Sequence, residues 1–229
     1  MTPVAIVIPA YCPTLEHAKM ALDCITSLKM STDPVVLENL IIVENGSGAL
    51  KDCGATWVYG PDPVGCVKAL NRGFQIALRR DPVVIVNIST DILLSRGWLP
   101  QMLSEWKAFG DFGALAPYDG PEPQVFKDEF AIVQDSHFWG MVMLSAAAIC
   151  AVGPMDENLN HCYGDQDYNI RMRQAGYRVA RTGNVVVKHG SRATYSAMPE
   201  HNSAWETEKA YIIKKHGVAE FEEYVRLHP

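Results

Sequence analysis

The sequence has no C-x-x-C pair, although its 229 residues include six cysteines: Cys12, Cys24, Cys53, Cys66, Cys150 and Cys162. Thiols scattered singly through a chain of this size argue against a zinc site and a disulfide framework, and point to a reducing, cytoplasmic setting. No apolar run reaches bilayer length. The longest, "FWGMVMLSAAAICAVG" (138–153), is interrupted by Gly and Ser and reads as core. The start, "MTPVAIVIPAY", has no basic n-region, and its apolar run is too short for a signal peptide. Positive charge is also scarce, with 20 Lys and Arg against 26 Asp and Glu and a net charge of -6. That balance offers no broad basic surface and weighs against a nucleic-acid partner. Three phosphate and nucleophile signatures are missing: the first strand is not followed by G-x-G-x-x-G, and neither G-x-x-x-x-G-K-[ST] nor G-x-S-x-G occurs. Ordinary nicotinamide enzymes, P-loop enzymes and serine hydrolases of the elbow type are thereby disfavoured.

What is present is an ordinary globular composition, 48% hydrophobic and 20% charged. The length suits one large domain, expected over 1–200, with a helical C-terminal extension over 201–229 packed on it. "VAIVIPA" (4–10), "NLIIVEN" (39–45), "ATWVYG" (55–60) and "PVVIVNI" (82–88) read as strands, the first a continuous apolar run suited to burial on both faces. Leu15, Ala18, Leu22, Ile25 and Leu28 mark an amphipathic helix, and Val67, Leu70, Phe74 and Ala77 mark another. "GWLPQMLSEWKAF" (97–109) is a third, its proline accommodated in the first turn. This alternation predicts an α/β fold with a mostly parallel sheet and helices on both faces. Ligands of such sheets sit beyond the carboxyl ends of the strands. After residue 110 the pattern loosens, and "APYDGPEPQ" (116–124) reads as a rim loop.

The segment "GDQDYNIRMRQAGYRVA" (164–180) sets Asp165 and Asp167 at the start of a short helix that stops at Gly176. Taken alone, two such carboxylates are good helix chemistry, since Asp caps an N-terminus and suits its dipole.

The company they keep changes that reading. Along the chain come "IVIPAY", "VENGS", G-x-x-x-x-x-N-x-G in "GCVKALNRG", "NISTD", "GPMDENL", "GDQDYNIRMRQAGY" and "VVVKHG". This ordered set resembles the family-2 glycosyltransferases, enzymes of the GT-A fold, over roughly residues 3–195. The resemblance implies inverting transfer of a sugar from a nucleoside-diphosphate donor to a hydroxyl, with Mn²⁺ or Mg²⁺ as the metal. It places Pro9, Ala10 and Tyr11 against the base and ribose, and Gly65, Lys68 and Asn71 on the nucleotide-sugar pocket. Glu44 stands where the family has a base-reading aspartate; a carboxylate accepts a ring N–H, which favours UDP- or dTDP-sugars.

"STD" (89–91) occupies the Asp-x-Asp metal motif, with Trp98 fixing Asp91 as its second aspartate. Ser89 replaces the first aspartate and, with Thr90, is expected on the donor side. One carboxylate plus substrate phosphates suffices for a divalent ion. His189 matches the late histidine that closes the metal shell. In the family's Glu-Asp-x-Asp pattern the first aspartate after the Glu is the general base, which here is Asp165, while Gly164 replaces the Glu. Asp167 then supports the acceptor or the helix start. His137, Trp139 and Gly140, in "DSHFWGMVM", fall on the acceptor-facing segment, and the acceptor is expected to be a glycan hydroxyl. Two rivals remain: a degenerate, non-catalytic nucleotide- or carbohydrate-binding module, suggested by Ser89 and Gly164, and a sugar nucleotidyltransferase. The absence of a glycine-rich loop after the first strand counts against the latter.

Overall fold

The computed structural model describes residues 2–54, 56–59, 62–110, 112–118, 132–134, 140–190, 199–218 and 221–222. Its first unit follows the expected alternation. Strand β1 (Val4–Ala10) leads through helix α1 (Leu15–Ser31) and a short helix α2 (Pro34–Leu37) to β2 (Leu40–Glu44). A 3-10 turn (Lys51–Cys53) and β3 (Trp57–Val58) precede α3 (Cys66–Leu78) and β4 (Val84–Ile88). A two-residue strand β5 (Ile92–Leu93), helix α4 (Trp98–Phe109) and β6 (Phe112–Tyr118) come next. The remainder runs β7 (Ile132–Gln134), β8 (Met141–Ser145), α5 (Ala146–Val152), α6 (Gly164–Gln174), β9 (Arg178–Val186), β10 (Lys188–His189) and α7 (Pro199–His216).

Local chemistry explains these boundaries. Thr14 caps α1, its hydroxyl accepting from the His17 amide, and Ser145 caps α5 in the same way at Ala148. Pro100 sits in the first turn of α4, where no helical N–H is lost. Val67, Leu70, Phe74 and Ala77 are buried along α3, as their spacing predicts. Trp98 is buried and its indole N–H donates to the Thr32 hydroxyl at 3.1 Å.

The main sheet has the order β3-β2-β1-β4-β8-β6-β9-β7. Parallel pairing joins β3, β2, β1 and β4, and also β6 with β9; β8 and β7 run the other way. From β1 the chain winds outward to β2 and β3, then returns to β4 on the opposite flank of β1, in register Val4↔Val84 to Val7↔Asn87. That reversal makes the carboxyl ends of β1 and β4 a topological switch point, where doubly wound sheets open a crevice. Both strands are almost wholly buried, as parallel interior strands must be.

The segment after residue 110 is more regular than its sequence suggests. Residues 116–118 of the expected rim loop are the end of β6, and the rest of that loop lies outside the described residues. Met141 to Leu144 are buried in β8 between β4 and β6, so this part of the long apolar run is core, whereas Ala147, Cys150 and Ala151 are exposed and 138–139 lie outside the described residues. No helix among the described residues is long and apolar enough to cross a membrane.

The spacing of α3 from the sheet depends on Gly73, where a Cβ would overlap the side chain of Val7 on β1. Gly73→Ala therefore trades a helix-propensity gain of about 1 kcal/mol against overpacking of about 1–3 kcal/mol. A lower urea midpoint is expected; an unchanged or higher one would mean that α3 slides freely on β1.

Candidate functional site

The carboxyl end of β4 runs into a tight turn in which the Ile92 amide donates to the Ser89 carbonyl at 3.2 Å. Thr90 and Asp91 are nearly buried there. The strand β10 pairs antiparallel with β5, setting His189 opposite Ile92. This two-stranded ribbon brings His189 Nε2 to 3.2 Å from Asp91 Oδ2. Gly190 completes the approach: its amide donates to the Asp91 carbonyl at 2.7 Å, and a Cβ on it would press on that residue at 3.2 Å. Two residues expected to hold a metal are thus joined from distant parts of the sequence. Beside them lies a cavity of about 610 Å³, lined in part by His17, Lys19 and Asp23 of α1 with Thr90, Asp91 and Lys188.

A carboxylate and an imidazole suit Mn²⁺ or Mg²⁺ completed by phosphate oxygens and water. Among the described residues no third His, Cys, Asp or Glu joins them. The nearby Cys24 is no thiolate: burial, helped by the Asp91 charge, pushes it up to about 12, and it donates to the Ser89 carbonyl.

The expected nucleotide wall is partly redrawn. Pro9 and Tyr11 are half-buried and Ala10 buried at the end of β1. Glu44 is fully buried. One carboxylate oxygen accepts from the Ser47 amide at 3.1 Å and from the Ser47 hydroxyl, the other from the Leu50 amide at 2.7 Å. Its side chain closes the 45–50 turn. Asn71 clamps the loop at Met155. It accepts from the Met155 amide at 2.9 Å and donates to the Met155 carbonyl and to Glu157. Gly65 opens α3 at φ +93°, and a Cβ there would overlap Asn160. Lys68 is exposed on the same helix.

These contacts join α3 to the loop before α6. Asn160 donates to the Val64 carbonyl at 3.0 Å and accepts from the Val67 amide at 3.2 Å, gripping the first turn of α3. Gly164 packs so closely that a Cβ would meet the Leu159 carbonyl oxygen and Val67 at 2.9 Å. The glycine at this position, where the resemblance led to a glutamate, is explained by packing: no side chain fits there without displacing backbone. Neither aspartate caps α6. Its N-cap is Tyr163, in the left-handed region at φ +58° with no side-chain cap, so both aspartates lie inside the first turns.

Asp165 is half-buried and accepts from the Gln166 amide at 3.0 Å. Burial pushes its carboxyl up to about 6, against the opposing pull of the Gln166 amide and its own. Such a carboxylate is poised near neutrality, where a general base works best. Asp167 points the other way. It is fully buried, 2.9 Å from Arg171 Nε, 2.6 Å from Lys215 Nζ and 2.8 Å from His216 Nε2. It anchors α7, and the expected acceptor contact finds no support in that geometry. Gly140 is half-buried, and its carbonyl accepts from the Ser89 amide at 2.6 Å, tying the entry of β8 to the Asp91 turn. His137 and Trp139 lie outside the described residues.

No family profile and no curated protein matches the sequence. Solved structures do match the fold. A GalNAc-T7 structure with UDP, GalNAc and Mn²⁺ superposes with TM-score 0.64 at 11% identity, over 82% of this chain and 44% of that one. The mannosyltransferase PcManGT from Pyrobaculum calidifontis, in complex with GDP-Man and Mn²⁺, gives TM-score 0.65 at 17% identity, over 99% of this chain and 65% of that one. The fold is GT-A. This chain thus spans about half to two-thirds of the GT-A proteins it matches.

Sequence reasoning missed Asn160, Glu208, Lys215 and His216, all of which hold the Asp165 helix. Only the basic "KKH" at the end of α7 offered a signal.

Two outcomes test this GT-A site's construction. Gly164→Glu, which restores the family carboxylate, should cost about 2 kcal/mol or more in urea unfolding; a stable variant would show spare room. Asp165 binds its proton more tightly folded than unfolded, so between pH 4 and 6 the native state holds the extra proton and stability falls as pH rises. Asp165→Asn removes that dependence and should be more stable than the native protein at pH 7.5, by about 1–2 kcal/mol. Parallel stability curves from pH 4 to 7.5 would contradict the raised carboxyl.

Proposed function

We propose that the chain is an inverting, metal-assisted glycosyltransferase of the family-2 type, moving a sugar from a nucleoside-diphosphate donor to an acceptor hydroxyl. The observation that carries the reading is the meeting of Asp91 and His189 at 3.2 Å, at the carboxyl end of β4. These two side chains would hold Mn²⁺ or Mg²⁺, which supplies Lewis-acid charge to the departing diphosphate. Lys68, exposed on α3, adds a positive charge for the donor phosphates. Asp165 takes the proton of the acceptor hydroxyl as its oxygen attacks the anomeric carbon. The bond from that carbon to the diphosphate oxygen breaks on the opposite face, and one displacement inverts the centre.

The acceptor is a glycan hydroxyl in this reading. The base is less constrained than Glu44 suggested, because its carboxylate is bonded to Ser47 and Leu50. UDP-, dTDP- and GDP-sugars therefore all belong in the screen, and the matched structures carry UDP in one case and GDP-Man in the other.

The test is turnover of these donors with Mn²⁺ and a glycan acceptor. Asp165→Asn should lower transfer by about 10²–10⁴-fold while leaving Mn²⁺ and nucleotide affinity nearly unchanged. Asp91→Asn should instead weaken Mn²⁺-dependent nucleotide binding. Donor binding with no turnover of any sugar nucleotide would favour a non-catalytic binding module, and an active Asp165→Asn enzyme would remove that residue from the chemistry.

A further inference from the structure

The turn that delivers Asp165 is irregular, and most of what fixes it comes from the C-terminal helix. Residues 160–163 precede α6 without regular structure, and Tyr163 is held in the left-handed region, which non-glycine residues seldom adopt. Asn160 ties one end of the turn to α3. The next two amides are taken by a single buried side chain of α7: Glu208 accepts from His161 N at 3.1 and 3.3 Å and from Cys162 N at 2.6 Å. The Tyr163 ring then packs on Trp205 of α7 at 4.8 Å and on Phe221 at 5.8 Å. A carboxylate receiving backbone amides is among the stronger neutral-to-charged hydrogen bonds, and here it sets the planes of successive peptides just before the base.

We infer that Glu208 is a positioning residue for the proposed transfer: it holds the 161–163 turn so that the Asp165 carboxylate stays in its sheltered place. The inference rests on Asp165 being the general base. Its physical content is that shelter and position go together. A relaxed turn would let water reach Asp165 and let its oxygens wander from the acceptor, and misplacement by about 1 Å costs on the order of 100-fold. Glu208 itself touches no substrate in this reading. Trp205 acts in the same clamp through Tyr163, from a position 45% exposed, where loss of its side chain leaves little of the core undone.

The experiment compares the native full-length chain with Glu208→Gln and Trp205→Ala. The Asp165 carboxyl is titrated by carbon NMR, and Mn²⁺–UDP binding, melting temperature and donor turnover are measured alongside. Gln keeps the size but turns an N–H₂ toward one of the two amides, so one bond is lost. The expected result is an Asp165 carboxyl that falls from about 6 toward the ordinary carboxylate range. With it, kcat should drop at least tenfold, the donor KM and Mn²⁺–UDP affinity should hold, and the rising limb of the pH–rate profile should move the same way. Glu208→Asp, which restores both acceptors on a shorter stem, should recover part of the rate. An unmoved Asp165 titration and unchanged kcat in both variants would overturn the inference. So would losses of kcat, donor affinity and melting temperature in parallel, the mark of a merely structural residue. If the native chain turns over no sugar nucleotide, the functional reading fails while the titration still decides whether Glu208 shelters Asp165.

Discussion

A carboxylate with no access to water is the constraint around which the second half of this structure is arranged. Asp167 is fully buried, and a lone buried charge would cost several kcal/mol. The structure answers with Arg171 from the same helix and with Lys215 and His216 from the end of α7. Lys215 also reaches Asp156 at 2.7 Å, and Tyr211 donates to the same carboxylate at 2.9 Å. Once these cations are committed, α7 cannot leave without stranding charge on both sides. Its apolar face closes a small second core of Leu159, Cys162, Tyr163, Ile170, Ile212 and Phe221. The helix that carries Asp165 is therefore bolted down on the side away from the main sheet.

The other side is secured without charge. Asn160 grips the first turn of α3, Asn71 holds the Met155 peptide, and Gly65 and Gly164 let the two segments close to contact. Helices α3 and α6 are thus two parts of one packed unit. This gives a physical reason for the motif G-x-x-x-x-x-N-x-G that differs from a row of ligand contacts. Its glycines and asparagine set distances between elements, while Lys68 is exposed and Arg72 lies over the Trp57 ring.

Much of the scaffold was legible. Buried parallel strands such as β1 and β4 need continuous apolar runs, and α3 needs its inner stripe, so periodicity found them. The pairing of Asp91 with His189 was reached through motif order, since no spacing rule links a turn after β4 to a strand almost at the other end of the chain. Motif order alone does not show that Glu44, Asn71 and Asp167 each bond groups of the protein itself, as the structure has them do. A polar side chain in a motif looks the same in sequence whether it faces a ligand or satisfies buried amides. What separates the two is the set of unpaired backbone groups nearby, which exists only once loops 45–50 and 153–163 are folded. Glu208 was illegible for the same reason: its partners are the bare amides of His161 and Cys162, and a backbone donor leaves no trace in composition.

The same accounting explains why Asp165 differs from its neighbour two residues on. Both carboxylates sit in the first turns of α6 and share its dipole. Asp167 finds three cationic or donor groups, whereas among the described residues Asp165 accepts from backbone amides. The fold therefore keeps one charge fully compensated and leaves the other under-compensated in a sheltered place. An under-compensated carboxylate destabilises the folded chain near neutral pH, since its proton is held more tightly folded than unfolded. A well-packed chain has no structural use for such a group, because asparagine would fill the same space without the penalty. Its presence on a helix held in place from two sides agrees with the proposed role as proton acceptor, which calls for a group basic enough to work near neutrality and fixed in direction.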